Sequence, residues 1–419
     1  MFNTIDEVYN YLFNQKKTAP RENLDRITRA AEMLNIKTDY PIIHVAGTNG
    51  KGSVCAYIKS AMMHKNLHIG MFVSPFVISF NERIQINDRY ISNSEIMHYA
   101  NILYDFNNKY EEEYNDHLPF FELTLLMALM YFQDRNIDMA IIECGLGGKL
   151  DSTNFLDCDL AIITNIGFDH MAQLGNTLES IADHKLGIAK EGMTCLTAVD
   201  PKLHNYFKAY AEKNQVNMVF INDDVTDIKT GLTTSFKYKG EDYKAALSGT
   251  YQAYNAALAI EAIHYMDKAF PKTLIEFGLE NVFWPGRLEA VSNEPLILID
   301  GAHNMPAIKA LSDSVKLLKN GRPVKVIFSA LQDKAYPEMI KILEDITDKF
   351  YFTKIVDLRQ TEPIDFSLYT NKENESINNF KDCMDKAIND LNKDEILLIT
   401  GSLHFISQAR EYYLTKYKK

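Results

Sequence analysis

The stretch Gly47-Thr48-Asn49-Gly50-Lys51-Gly52-Ser53 has the residue types needed to hold a phosphate. It follows the apolar run PIIHVAG, which reads as a buried strand, and leads into SVCAYIKSAMMHKN, which reads as a helix. The N-terminus of a helix offers unused backbone N–H groups and a partial positive charge, so an anion is its natural ligand. Glycines let the backbone come close and adopt positive φ, and Lys51 adds a mobile cation. Gly52 stands where the common phosphate loop has Ser or Thr, so a metal ion must draw its ligands from elsewhere. On these residues alone, a tight strand–helix turn is the alternative. No G-x-G-x-x-G follows a strand, which argues against a dinucleotide cofactor.

Other polar residues stand at places where chemistry is done. Glu143 ends the expected strand DMAIIE, at what should be the carboxyl edge of a parallel sheet, where ligands bind in open α/β folds. The alternative for Glu143 is a capping or ion-paired carboxylate. Ser74, before Pro75, is otherwise a common turn residue. His170 follows Asp169 beyond another strand end, and a lone histidine is more often structural. Lys185 lies on a helix and could equally be a surface lysine in a salt bridge. Glu122, alone in the apolar helix PFFELTLLMALMYFQ, must be paired or functional. Gln252 and Asn255 share one helix face. Asp300-Gly301 and His303-Asn304 are typical loop residues.

These residues need a scaffold of alternating strands and helices. Residues 1–35 read as helices, with an apolar stripe through Leu24, Ile27, Ala30, Ala31 and Leu34. The expected strands PIIHVAG, HIGMFVS, DMAIIE and LAIITNIG alternate with helices over 53–66, 94–113, 119–133 and 177–190. Residues 75–88 read as a loop. A hairpin is expected over 232–247 around Lys239-Gly240, then the helix YQAYNAALAIEAIHYM. A second set begins after Glu294-Pro295, with strands LILIDG, VKVIFSAL, KFYFTKI and EILLITG; residues 371–379 read as a polar loop. The fold class is therefore α/β with mostly parallel sheets, the first domain covering 1–294 and the second 295–419.

The 419 residues leave room for two or three domains, and 46% hydrophobic with 24% charged residues is ordinary for a globular enzyme. A net charge of −12 with no long basic run argues against nucleic acid. Five cysteines without a C-x-x-C pair fit reduced thiols and a cytoplasmic setting. The N-terminus reads as neither a signal peptide nor a membrane span, and no apolar run reaches membrane-spanning length.

The segment HVAGTNGKGSV resembles the phosphate loop of folylpolyglutamate synthases and dihydrofolate synthases, relatives of the Mur ligases. Further segments match in order: SPFVISFNERIQIN, ECGLGGKLDSTN, ITNIGFDHMAQLGNTLESIADHKLGIAKEG, WPGRLE and IDGAHN. The resemblance implies a P-loop-type central domain, a smaller Rossmann-like glutamate-ligase domain and an ADP-forming amide ligase. ATP would phosphorylate a folate carboxylate, and the amino group of L-glutamate would displace the phosphate.

The resemblance also implies residue roles. Thr48, Asn49, Gly50, Lys51, Gly52 and Ser53 would hold the ATP phosphates. Ser74 and Glu143 would bind one Mg2+, and His170 with a carbamylated Lys185 a second. Lys51, His170 and Lys185 would be catalytic. Gln252, Asn255, Arg287 and Asp300 would meet the nucleotide, and His303 and Asn304 the glutamate. Phe76 would stack on the pterin ring or simply pack, Arg83 would partner a substrate carboxylate, and Glu122 would lie near the active site. Departures from the family pattern are Phe76 for His, Lys149 for Arg, and His184 and Leu186 beside Lys185 where Glu and Ala are usual. K+ dependence and a monomer are family expectations. The alternatives are a Mur-type peptide ligase, against which stands the short segment before Pro41, a P-loop ATPase of another class, and a non-enzymatic ATP-binding module. Open at this stage are the folate form, the polyglutamate length, and whether both synthase activities coexist.

Overall fold

The computed structural model describes residues 1–15, 22–354 and 364–418. Residues 16–21, in the stretch expected to be helical, and Ile355, at the end of an expected strand, lie outside the described residues. Two compact units are present: Met1–Asn222 with Leu258–Gly278, and Asp223–Ala257 with Leu279–Lys419.

The first unit is built on an eight-stranded sheet. Its strands are β1 (Ile42–Ala46), β2 (Ile69–Phe72), β3 (Ile84–Ile86), β4 (Arg89–Tyr90), β5 (Met139–Glu143), β6 (Leu160–Ile163), β7 (Thr194–Thr197) and β8 (Asn217–Phe220). They run in the order β4-β3-β2-β5-β1-β6-β7-β8. The ladder is parallel from β2 through β8 and antiparallel at β3 and β4. β1 and β5 are buried along their whole length, as expected of apolar runs in a sheet covered on both faces. The helices are α1 (Ile5–Phe13), α2 (Asp25–Met33), α3 (Lys51–Met62), α4 (Asn93–Tyr114), α5 (Phe120–Asp134), α6 (Met171–Leu174), α7 (Leu178–Leu186) and α8 (His204–Asn214). α5 is buried at almost every turn, so its apolar run has no solvent face. The stretch 75–88, expected as loop, contains β3. Three residues are too few to show a period, and β3 is held by pairing with β2.

The second unit has a three-stranded antiparallel sheet of β9 (Val225–Thr230), β10 (Thr234–Tyr238) and β11 (Glu241–Ala245). Lys239 and Gly240 turn the β10–β11 hairpin with φ of 51° and 82°, the left-handed pair that matches strand twist. The division between the units falls inside α9 (Tyr251–Met266) and α10 (Lys272–Asn281). A six-stranded sheet follows: β12 (Glu289–Asn293), β13 (Leu296–Ile299), β14 (Val324–Phe328), β15 (Lys349–Phe352), β16 (Glu373–Ser376) and β17 (Ile396–Thr400). Its order is β12-β13-β17-β14-β15-β16, parallel except for β12. It packs with α11 (Met305–Lys319), α12 (Tyr336–Leu343), α13 (Phe380–Asn389) and α14 (Leu403–Tyr417). One expectation is corrected here. Residues 371–379 are not all loop, because β16 is a polar edge strand whose Glu373 and Glu375 flank Lys349 at 3.1 and 3.6 Å. β12 was not expected either. The boundary placed near residue 294 falls inside the β12–β13 hairpin. Among the described residues no helix is long and apolar enough to cross a membrane.

Candidate active site

Parallel strands end on one edge, and four of them deliver polar groups there. β1 runs into the glycine-rich loop, β2 into Ser74, β5 ends at Glu143, and β6 leads to Thr164 and Asn165. Val45 is in register with Glu143 and Ala46 with Ile163, so the loop emerges between the ends of β5 and β6.

The loop conformation requires its glycines. Gly47 has φ 150°, and a Cβ there would sit 1.8 Å from Thr164 Oγ1. Gly50, with φ 84°, is the N-cap of α3. The segment after β6 braces the loop. The Thr48 N–H donates to Asn165 O (3.0 Å) and the Asn49 N–H to Asn165 Oδ1 (2.9 Å). Asn165 Nδ2 and Thr164 Oγ1 both donate to Asn49 O, at 3.1 and 2.6 Å. Thr48 Oγ1 donates to Gly167 O and accepts from the Gly167 N–H.

Two lysines converge on one carbonyl. Lys51 Nζ and Lys185 Nζ donate to Gly47 O at 3.3 and 2.9 Å. Lys51 also lies 3.7 Å from Glu143 Oε1, while Glu143 Oε2 accepts from the Ser74 N–H at 3.1 Å. Glu143 and Lys185 are both buried. Burial first, and the Lys51 charge second, push the Lys185 ammonium down to about 7.

Lys185 is set by the loop after β5. The Lys149 N–H donates to His184 O at 2.6 Å, and Asn154 Nδ2 donates to Lys149 O and to Gly187 O, each at 3.1 Å. A side chain at Gly148 would press on His184 O and Lys185 O, so only glycine admits this approach. Asp151 folds the loop by accepting from the N–H groups of Leu146 and Thr153. The Thr153 hydroxyl lies 2.6 Å from Asp151 Oδ1 and 2.8 Å from His44 Nε2. A hydroxyl has one proton. Given to the carboxylate, it leaves Nε2 as the donor on the His44 ring, which burial keeps neutral by pushing it down to about 3.

His170 is a half-exposed N-cap residue of α6 with φ 50°. Its Nε2 lies 3.9 Å from Asp169 Oδ2, and the Asp169 charge is felt at Lys185. Arg83 is buried between two rings, its guanidinium carbon 5.3 Å from the Phe76 centroid and 5.0 Å from that of Phe120. Arg83 Nε and Nη1 have no hydrogen-bond partner. Burial lowers the guanidinium to about 10, opposed by the charge of Glu143. Phe76 therefore packs on a cation. Glu82 holds this turn by accepting from the N–H groups of Val77, Ile78 and Ser79.

Glu122 is explained by pairing. Arg26 Nε and Nη2 meet its two oxygens at 2.8 and 3.1 Å, and the Ser152 hydroxyl donates at 3.3 Å. This ion pair meets the cost of burying the Glu122 charge. Arg26 was missed because an arginine on a polar helix face carries no signal of a partner so far along the chain.

In the second unit Asn255 Nδ2 donates to Gln252 Oε1 at 3.0 Å, both residues buried. Asp300 Oδ2 accepts from the Leu288 N–H (2.7 Å) and Oδ1 from the Ala302 N–H (2.8 Å). Burial raises the Asp300 carboxyl and the Arg287 charge opposes it. A Cβ on Gly301 would meet Leu403 and Arg287 Nη1, so glycine keeps room for Arg287. His303 Nδ1 lies 2.8 Å from Gly301 O, which fixes Nδ1 as the donor. Asn304 Oδ1 caps α11 by accepting from the Ala307 N–H.

No cluster of three or more His, Cys, Asp or Glu side chains that could hold a metal occurs among the described residues. Mg2+ does not need one. It takes one or two carboxylates, waters and substrate phosphates. A buried carboxylate at a strand end with Ser74 beside it fits that donor set. An unmodified Lys185 does not, because an ammonium has no lone pair.

The Mur ligase middle domain matches residues 45–263 and the Mur ligase glutamate ligase domain residues 286–403. The chain is 34% identical over 427 aligned residues to the dihydrofolate synthase/folylpolyglutamate synthase of Bacillus subtilis, covering 98% of this chain and 99% of that one. Among solved structures it is similar to the apo form of Lacticaseibacillus casei folylpolyglutamate synthase, with 28% identity, TM-score 0.86, and coverage of 98% and 100%. It is also similar to Mycobacterium tuberculosis folylpolyglutamate synthase complexed with ADP, with 25% identity, TM-score 0.89, and 98% of each chain covered. By both domains and by full-length likeness, the chain belongs to the dihydrofolate synthase/folylpolyglutamate synthase family of Mur ligases, ATP-dependent enzymes that add glutamate to folates.

Proposed function

We propose that the enzyme transfers the γ-phosphoryl group of ATP to the γ-carboxylate of a tetrahydrofolate and then joins L-glutamate to that carbon. The first step forms a bond from carboxylate oxygen to phosphorus and releases ADP. In the second the glutamate nitrogen attacks the acyl carbon, loses a proton and expels phosphate. The observation that carries this reading is the convergence of Lys51 and Lys185 on Gly47 O beside buried Glu143. The Lys51 cation, at a loop of helix-terminal N–H groups, lowers the cost of bringing a triphosphate and a carboxylate together.

Lys51 binds the β- and γ-phosphates. Ser74 and Glu143 would hold one Mg2+, and His170 with Lys185 a second; bound there, the ions offset charge on the transferring phosphoryl group. Lys185 fits that role only as a carbamate, and its burial leaves a neutral amine accessible to CO2. Arg83 receives a substrate carboxylate through its unused Nε and Nη1, and Phe76 keeps it in place. Asn255, Arg287 and Asp300 are assigned to the nucleotide, and His303 to the glutamate. Asn304 acts through its cap. The name of the Bacillus subtilis relative supports an additional dihydrofolate synthase activity. A monomer, K+ dependence and a cytoplasmic setting with its buried free cysteines complete the reading.

The test is incubation with Mg-ATP, L-glutamate and either tetrahydrofolate or dihydropteroate, reading ADP release and product mass. Glutamate-dependent ADP with a product one glutamate heavier is expected. ADP release indifferent to glutamate with both pterins sinks the proposal.

A further inference from the structure

Asn165 has no role in the scheme above, yet it touches the phosphate loop three times. Each backbone N–H makes one strong hydrogen bond. The Thr48 N–H is taken by Asn165 O at 3.0 Å, and the Asn49 N–H by Asn165 Oδ1 at 2.9 Å. The same side-chain amide returns Nδ2 to Asn49 O at 3.1 Å. One acceptor and one donor thus face one residue, as a neighbouring strand would present them. Asn165 stands two residues past the end of β6, which is paired in parallel with β1. The bonds therefore carry the position of the sheet into the loop. Directly beyond Asn49, Gly50 turns the chain into α3, whose first N–H groups have no partner within the helix.

We propose that Asn165 is a positioning residue that withdraws the amides of Thr48 and Asn49 from ligand binding and sets the loop so that the N–H groups at the start of α3, from Gly50 to Gly52, meet the phosphates. The inference rests on the reading that this loop binds ATP, and it changes the set of donors expected from the sequence. Thr48 and Asn49 shape the loop rather than grip the ligand.

The test uses the full-length protein with Mg2+ and compares AMP-PCP with AMP by calorimetry. Asn165→Ala is expected to weaken AMP-PCP binding about tenfold, the size of one hydrogen bond's worth of positioning, with AMP affinity unchanged within about twofold. Equal weakening of both ligands would mean a merely structural role, and no weakening of either would mean that the clamp is idle; both overturn the proposal. Amide hydrogen exchange of the wild-type protein gives a second readout, independent of whether the variant folds. The Asn49 amide should be protected before AMP-PCP is added and no more so after, while Gly50 to Gly52 gain protection. An Asn49 amide that becomes protected only with nucleotide overturns the proposal. Wild-type protein that binds no AMP-PCP, with Asn49 still protected, removes instead the reading of the loop as an ATP site, and the ligand-set inference with it.

Discussion

Gly47→Ala is the perturbation whose cost can be worked out atom by atom. The new Cβ would lie 1.8 Å from Thr164 Oγ1, 3.1 Å from Thr164 Cβ and 3.2 Å from its backbone nitrogen. The hydroxyl must move by more than an ångström, breaking its 2.6 Å bond to Asn49 O. That loss is worth about 0.5–1.5 kcal/mol. Holding alanine at the φ of Gly47 adds about 1–3 kcal/mol. The single substitution should therefore destabilise the first unit by about 2–4 kcal/mol and raise the KM for ATP. Thr164→Ala alone loses the same hydrogen bond and should cost about 1 kcal/mol. In the double variant the hydroxyl is gone, so the bond is not lost twice and the worst clash is relieved. Its cost should match Gly47→Ala rather than the sum. Urea unfolding of all four proteins measures the cycle. Additivity within about 0.5 kcal/mol would refute the reasoning, because residues sharing no contact are the ones that add.

Four further outcomes follow from named contacts. Arg26→Ala leaves the Glu122 carboxylate buried without its guanidinium, so the urea midpoint should fall by the equivalent of about 3–5 kcal/mol with the KM for ATP unchanged in the folded protein. Lys185 titrates near 7 in the folded chain against an ordinary lysine value of 10.5; the unfolded state binds more protons between those values, so stability should rise as pH climbs through that window, and Lys185→Met should flatten the rise in a urea series. The same Lys185→Met variant should lose activity at every pH, and added bicarbonate should not restore it. Arg83→Met should raise the KM for the folate substrate by about ten- to a hundredfold, leaving that for ATP within about twofold in steady-state assays, since a charge-assisted contact is lost and nucleotide contacts are not.

Much of the first unit could be read from the sequence because parallel strands buried on both faces are continuous apolar runs. DMAIIE became β5 almost residue for residue, and the first four residues of LAIITNIG became β6. Their ends placed Glu143 and Asn165 on the active edge, although only Glu143 drew notice. A carboxylate closing an apolar strand is conspicuous, whereas the threonine and asparagine of TNIG read as a continuation of the strand itself. β12 and β16 escaped because edge strands pair on one side and mix polar with apolar residues. Arg26 and Glu122 show the same limit for side chains. Residues 96 apart met across α2 and α5, and no local pattern marks such a pair. His44 was hidden in a strand whose buried pattern gave no hint that one ring faced Thr153. The glycines were legible as glycines, but the crowding at Gly47 and Gly148 depends on which distant atoms approach.

The boundaries of the two units have a consequence for how the chain is made. Each unit is assembled from two stretches of sequence, so the backbone passes between them at residues 222–223, 257–258 and 278–279. During synthesis the first unit cannot be completed until Gly278 has emerged, by which time residues 223–257, which belong to the other unit, are already outside the ribosome. The first unit can therefore close before residues 279–419 are made, but only with residues 223–257 of the other unit already emerged beside it. For the same reason neither unit can be excised by a single proteolytic cut, and a chimera that exchanges one unit between relatives must graft two segments at once.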